Sequence, residues 1–137
     1  MACYYIEEWK QYLSEKDFNY LIQFIENLDR MDKNDKILIL TGKPRTGKTT
    51  LINKIKKYIG SQHFHDNNYL NGEMFFEPSK IAIHICGIHE YSEKVYIVAL
   101  QNFLKNNISI ISDTNSIETI APEILENSYI IEMTHIF

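Results

Sequence analysis

The chain has 137 residues, 14 of them basic and 18 acidic, for a net charge of −4. That length suits one domain with its own core and no second full module, and the acidic balance argues against tight, sequence-independent binding to nucleic acid by this chain alone. No apolar run approaches the roughly 18 residues of a membrane span, the first residues lack a charged-then-apolar signal pattern, and the two cysteines, Cys3 and Cys86, make no disulfide framework. The expectation is a soluble intracellular protein, cytoplasmic or nuclear, in a reducing compartment and without a membrane partner.

Residues 4–13 read as a helix with Tyr5, Trp9 and Leu13 on one face. Ser14, followed three residues later by Asp17, is an N-cap signature for a second helix reaching about residue 28. Its apolar members Phe18, Leu21, Ile22, Ile25 and Leu28 recur at helical spacing, which predicts a stripe packed on the rest of the domain. The polar run Asp32-Lys33-Asn34-Asp35 ends this stretch, dividing the chain into a helical N-terminal leader, residues 1–35, and a core, residues 36–137.

The core opens on a continuous aliphatic run, residues 36–41, of the kind that forms a parallel strand covered on both faces. It runs straight into Gly42-Lys43-Pro44-Arg45-Thr46-Gly47-Lys48-Thr49, the pattern G-x-x-x-x-G-K-T. Between a strand and a helix, that pattern is a phosphate-cradling loop. Gly42 and Gly47 let the backbone turn tightly, so that successive N–H groups point at phosphate oxygens. Lys48 supplies a point charge between the phosphates, the Thr49 hydroxyl holds Mg²⁺, and residues 42–50, through Thr50, form the expected nucleotide contacts. A helix follows over residues 49–59, with Leu51, Ile52, Ile55 and Ile59 on one side and Lys54, Lys56 and Lys57 on the other. Its positive end faces the phosphate site, and Gly60 stops it.

Residues 62–65 predict a short edge strand and residues 66–78 a loop, with Phe75 and Phe76 plugging that loop onto the core. A strand over 80–86 precedes a helix over 92–105, with Val95, Tyr96, Val98, Ala99, Leu100, Phe103 and Leu104 inward. A strand over 108–112, a short helix over 122–127 led by Pro122, and a strand over 129–133 complete the chain. Strands alternating with helices predict a three-layer α/β P-loop NTPase fold, a parallel sheet flanked by helices.

The strand that ends in Ser112, Asp113, Thr114 and Asn115 places small polar side chains at a carboxyl end, where open α/β sheets bind ligands. With the phosphate loop, this segment resembles the AAA+ ATPases, and most of all the viral superfamily 3 replication helicases that share their core. Ser112-Asp113-Thr114-Asn115 is similar to the Ser-Asn-Thr-Asn of some single-stranded DNA virus replication proteins. Residues 121–133 are similar to the short helix and strand that follow the sensor in clamp loaders. The resemblance spans residues 36–133. It implies ATP binding with Mg²⁺, ATP hydrolysis, a γ-phosphate read by Asp113 or Asn115, and a role in DNA or RNA replication as a homo-oligomer or within a larger complex.

Two departures qualify that implication. The strand over 80–86 ends in Cys86 and Gly87 where the resemblance implies two carboxylates, leaving Glu90 as the candidate for polarising water. Arg30 and Arg45 are the only arginines, and Asn127 stands where clamp loaders place the arginine that reaches a neighbour's γ-phosphate. Lys94 and Lys105 lack the planar fork that would replace it. The chain is therefore expected to bind ATP better than it turns it over. A non-hydrolysing clamp-loader-like or helicase-derived subunit is one alternative, and a small P-loop kinase another, although no arginine follows Arg45 to serve a kinase lid. A metal-binding module is a further alternative: the His63-x-His65 spacing would put both rings on one strand face beside Asp66, with His84, Cys86, His89 and Glu90 further on. Without a second paired motif at fixed spacing, scattered histidines are the preferred reading.

Overall fold

The structure, a computed structural model, describes residues 4–65 and 81–137. The loop and the Phe75–Phe76 plug expected between residues 66 and 78 lie outside the described residues.

The first segment, Tyr4–Gln11, is a 3-10 helix rather than an α-helix. Ile6 and Trp9, three residues apart, are both buried, and a three-residue turn brings such a pair to one side. Helix α1 (Glu15–Asp29) starts where the cap signature sets it, with the Asp17 N–H donating to Ser14 Oγ at 3.1 Å. Its stripe of Phe18, Leu21, Phe24, Ile25 and Leu28 is buried.

Strand β1 (Ile37–Thr41) is buried at every position, and helix α2 (Lys48–Ile59) leaves its end through the phosphate loop. A 3-10 turn, Ser61–His63, leads into β2 (Phe64–His65). Strand β3 (Ala82–Cys86), helix α3 (Lys94–Lys105) and strand β4 (Ser109–Thr114) follow, then α4 (Pro122–Leu125) and β5 (Ser128–Glu132). All pairings are parallel, in the order β2-β3-β4-β1-β5. From β1 the chain jumps to the far edge, steps back through β3 and β4, and crosses β1 to reach β5. Every carboxyl end therefore lies on one edge, with the phosphate loop near its middle.

The two faces carry separate cores. Leu38, Leu40, Ile111 and Ile131 pack with α1, with Leu51, Ile52 and Ile55 of α2, and with Trp9. Ile37, Ile39, Ile83, Ile85 and Ile110 pack on the other side with α3 and Ile124 of α4. Each fully buried aliphatic side chain contributes about 1.5–3 kcal/mol, so this packing dominates the stability of α2 and holds the start of that helix in place. The leader is tied in by buried Asn34, whose Nδ2 donates to Phe24 O at 3.2 Å and Ser109 Oγ at 3.0 Å, while its Oδ1 accepts from Asn27 Nδ2 at 2.9 Å. Tyr129 of β5 donates to Asp17 at 2.8 Å and stacks on Tyr20 at 3.7 Å between centroids.

Helix α3 corrects one expectation. Val95 and Val98 are 63% and 44% exposed, and Ile97, Ala99, Leu100 and Phe103 form the buried stripe. Residues 95–100 are all apolar or aromatic, so the pattern there defines no unique face. Strand β4 runs two residues further than expected because ladders on both sides continue, Asp113 pairing with Leu40 and Cys86, and Thr114 with Thr41. Among the described residues, no helix is long and apolar enough to cross a membrane.

Candidate functional site

Positive φ angles shape the phosphate loop. Gly42 has φ 145° and Gly47 φ 86°, and Arg45 adopts a left-handed φ of 67°. A Cβ on Gly42 would overlap the carbonyl oxygen of Met133, so the loop can pass the residue that follows β5 only with a bare backbone there. Thr46 Oγ1 donates to Lys43 O at 2.8 Å and pins the turn. Lys48 Nζ donates to Gly42 O at 2.8 Å, Lys43 O at 2.7 Å and Thr46 Oγ1 at 3.1 Å, so its ammonium sits within the loop's own oxygens. Burial pushes the Lys48 pKa down, and the negative charge of Asp113 opposes that shift. Thr49 and Thr50 are exposed in the first turn of α2, beside the exposed Lys43, Pro44 and Arg45. The positive end of α2 adds to this anion-attracting arrangement.

One flank of the loop is aromatic. Phe137 N donates to Arg45 O at 2.8 Å, and a Cβ on Gly47 would meet the Phe137 ring at 2.9 Å and Trp9 Nε1 at 3.6 Å. Tyr12 stacks on His135 at 4.2 Å and meets Phe137 edge-on at 5.1 Å. Trp9, Arg45, Gly47, Thr50 and Phe137 line a pocket of about 370 Å³. The buried Trp9 Nε1 has no hydrogen-bond partner among the described residues. A larger hollow, about 420 Å³ among Lys33, Asp35, Gln101, Lys105 and Asn127, lies at the amino ends of the strands, away from the loop.

The other flank is formed by the ends of β3 and β4. His84 Nε2 lies 2.9 Å from Asp113 Oδ1, and Cys86 Sγ lies 3.8 Å from the same nitrogen. Thr114 Oγ1 meets His89 Nδ1 at 2.7 Å, and Ser112 Oγ donates to Ile85 O at 2.6 Å. Asn115 is exposed just beyond β4. Glu90 ends a 3-10 turn, Ile88–Glu90, with its side chain 71% exposed and 3.9 Å from His89 Nε2. The structure thus brings Lys48, Asp113 and the loop together and leaves the Glu90 carboxylate at the solvent. Arg30 is engaged by Asp32 and Asn27 at the end of the leader. Burial pushes the Cys86 thiol up, Asp113 adds to that shift, and Lys56 opposes it.

Sequence reasoning missed the grouping of His84 and Cys86 with Asp113. The alternation His84-x-Cys86 places both on one strand face, but only the strand order sets Asp113 opposite Cys86. It also missed the aromatic pocket, because Trp9 and Phe137 lie at opposite ends of the chain.

Solved structures resemble this arrangement. The Thermotoga maritima RuvB Holliday junction branch migration motor matches at TM-score 0.61 and 17% identity, over 90% of this chain and 45% of that one. A Thermotoga maritima RuvB variant matches at 0.64 and 16% identity, over 90% and 46%. The FIGL-1 AAA domain in complex with ADP matches at 0.61 and 12% identity, over 92% and 55%. The fold is that of the AAA+ P-loop ATPases. The chain spans about half the length of these AAA+ structures. No protein-family model and no curated protein sequence matches it.

Proposed function

We propose that this AAA+-like domain binds ATP at residues 42–50 and turns it over slowly. The observation that carries the reading is the position of Lys48, its ammonium held among loop oxygens at the positive end of α2. In that place it meets β- and γ-phosphate oxygens while the amides of the loop cradle them. The exposed Thr49 hydroxyl, in the first turn of α2, fits a hard, oxygen-seeking cation. Mg²⁺ held there would neutralise charge on the phosphates. The aromatic pocket beside Gly47 suits a nucleobase, with Phe137 and Trp9 as apolar walls.

Asp113 or Asn115, at the carboxyl end of β4, reads the γ-phosphate. Glu90 is the carboxylate assigned to polarising water, and it must turn from His89 and solvent to do so. That reorientation, and an end of β3 occupied by Cys86 and Gly87, support slow turnover. The run Ser112 to Asn115 supports the finer reading of a viral superfamily 3 helicase-like replication domain working in an oligomer or larger replication complex. The missing carboxylate pair equally suits a non-hydrolysing subunit derived from such a helicase or from a clamp loader.

The test is ATP titration with and without Mg²⁺, beside a phosphate-release assay and a Glu90→Gln variant. Binding with release that Glu90→Gln abolishes supports the slow ATPase. Binding without release supports the non-hydrolysing subunit. Absence of binding, or phosphate transfer to a small acceptor, defeats the reading.

A further inference from the structure

The grouping of His84, Cys86 and Asp113 has a chemistry of its own, apart from nucleotide binding. Residues 84 and 86 project from the same face of β3, and Asp113 is the register partner of Cys86 on β4. One ligand atom from each, an imidazole nitrogen, the sulfur and a carboxylate oxygen, lies within 4.8 Å of the other two. The geometry points to a binding site for one divalent cation of the zinc class, held by His84 Nε2, Cys86 Sγ and a carboxylate oxygen of Asp113.

The ligand types select the metal. Nitrogen, sulfur and carboxylate oxygen form a mixed set suited to Zn²⁺, whereas Mg²⁺ and Ca²⁺ take oxygen. The two separations from the His84 nitrogen are close to those required. Tetrahedral zinc with bonds of about 2.0–2.1 Å to nitrogen and oxygen and about 2.3 Å to sulfur separates nitrogen from oxygen by about 3.3 Å and nitrogen from sulfur by about 3.6 Å. The observed separations are 2.9 Å and 3.8 Å. Each needs an adjustment of a few tenths of an ångström, within reach of side-chain rotation on two strands whose register the sheet already sets. His84 is buried and Asp113 half-buried, which favours a fixed donor geometry, while exposed Cys86 gives the ion access from solvent. Thiolate and carboxylate together balance a dication, and three protein ligands leave the fourth position open to water or an anionic oxygen.

This site occupies the end of β3, where the resemblance to AAA+ ATPases implies a carboxylate pair. With Asp113 on the cation, Asn115 is left to read the γ-phosphate.

The test uses the full chain, stripped with chelator and free of nucleotide, so that a failure of ATP binding does not touch its outcome. Titration with Zn²⁺ should show one ion per chain. Titration with Co²⁺ should give tetrahedral visible bands and a near-ultraviolet thiolate-to-metal band. Cys86→Ser should remove the thiolate band and Cys3→Ser should keep it. His84→Ala should weaken Zn²⁺ binding by at least about tenfold, since even groups behind the ligands cost that much. The wild-type Co²⁺ spectrum is decisive without any variant. No thiolate band, a band that disappears with Cys3 instead of Cys86, or unchanged Zn²⁺ affinity in folded His84→Ala overturns the proposal.

Discussion

At the end of β1, the loop oxygens of Gly42, Lys43 and Thr46 surround the Lys48 ammonium, and α2 directs its positive end to the same place. At the ends of β3 and β4, on the same edge of the sheet, stand an imidazole, a thiol and one carboxylate, while Glu90 faces solvent. The first region has the parts that, on the proposed reading, hold a triphosphate. Among the described residues, the second has only one carboxylate at the strand ends, where a pair would activate water beside a bound triphosphate. The phosphate binding proposed for the first region rests on backbone conformation and one cation, so it would stay intact while the strand-end chemistry changes.

The largest effect in the loop should come from Gly42→Ala. The new methyl group would overlap the Met133 carbonyl, and φ 145° is unfavourable for an L residue. A loss of about 3 kcal/mol in chemical denaturation is expected. Wild-type stability would show that the loop and Met133 do not touch as described. Lys48→Ala comes next. Losing a charge-assisted contact costs about 1.5–3 kcal/mol, roughly 10- to 150-fold in ATP affinity. Calorimetric titration checks it.

Two changes at the contacts between leader and core sharpen the contrast, because they should lower stability and spare the loop. Asn34→Ala strands the buried Ser109 hydroxyl and the Phe24 carbonyl, at about 1–2 kcal/mol in a denaturation midpoint. An equal loss of ATP affinity would mean that leader and loop are coupled. Tyr129 offers a smaller effect that depends on pH. Burial, the hydrogen bond to Asp17, the Asp17 charge and Tyr20 push its phenol up to about 12, from an ordinary 10.0. Because the folded value is the higher one, the contribution is complete below pH 10.0 and fades as pH rises towards about 12. Tyr129→Phe should cost about 1 kcal/mol near neutral pH and flatten part of the alkaline decline in thermal stability.

Much of the fold was legible because its signals are local. The aliphatic run before Gly42, the Ser14 cap and the stripe of α1 are each set within a few residues, and the structure follows them. Helix α3 was misread at Val95 and Val98, where every neighbour is apolar or aromatic and periodicity gives no direction. The phosphate loop was readable as a motif because its conformation depends on its own glycines. The flanks were not. Trp9 and Phe137 line one pocket across nearly the whole length of the chain, and Asp113 meets His84 through strand order, a property of the sheet that no spacing along the sequence records.

Trp9 is the only tryptophan and it lines the pocket beside Gly47, so its emission reports on the site directly. Titration of the full chain with ATP should change that emission saturably, and Lys48→Ala should shift the midpoint by at least about tenfold. An unchanged emission together with no calorimetric binding, or a Lys48→Ala protein that binds as the wild type does, would contradict the account.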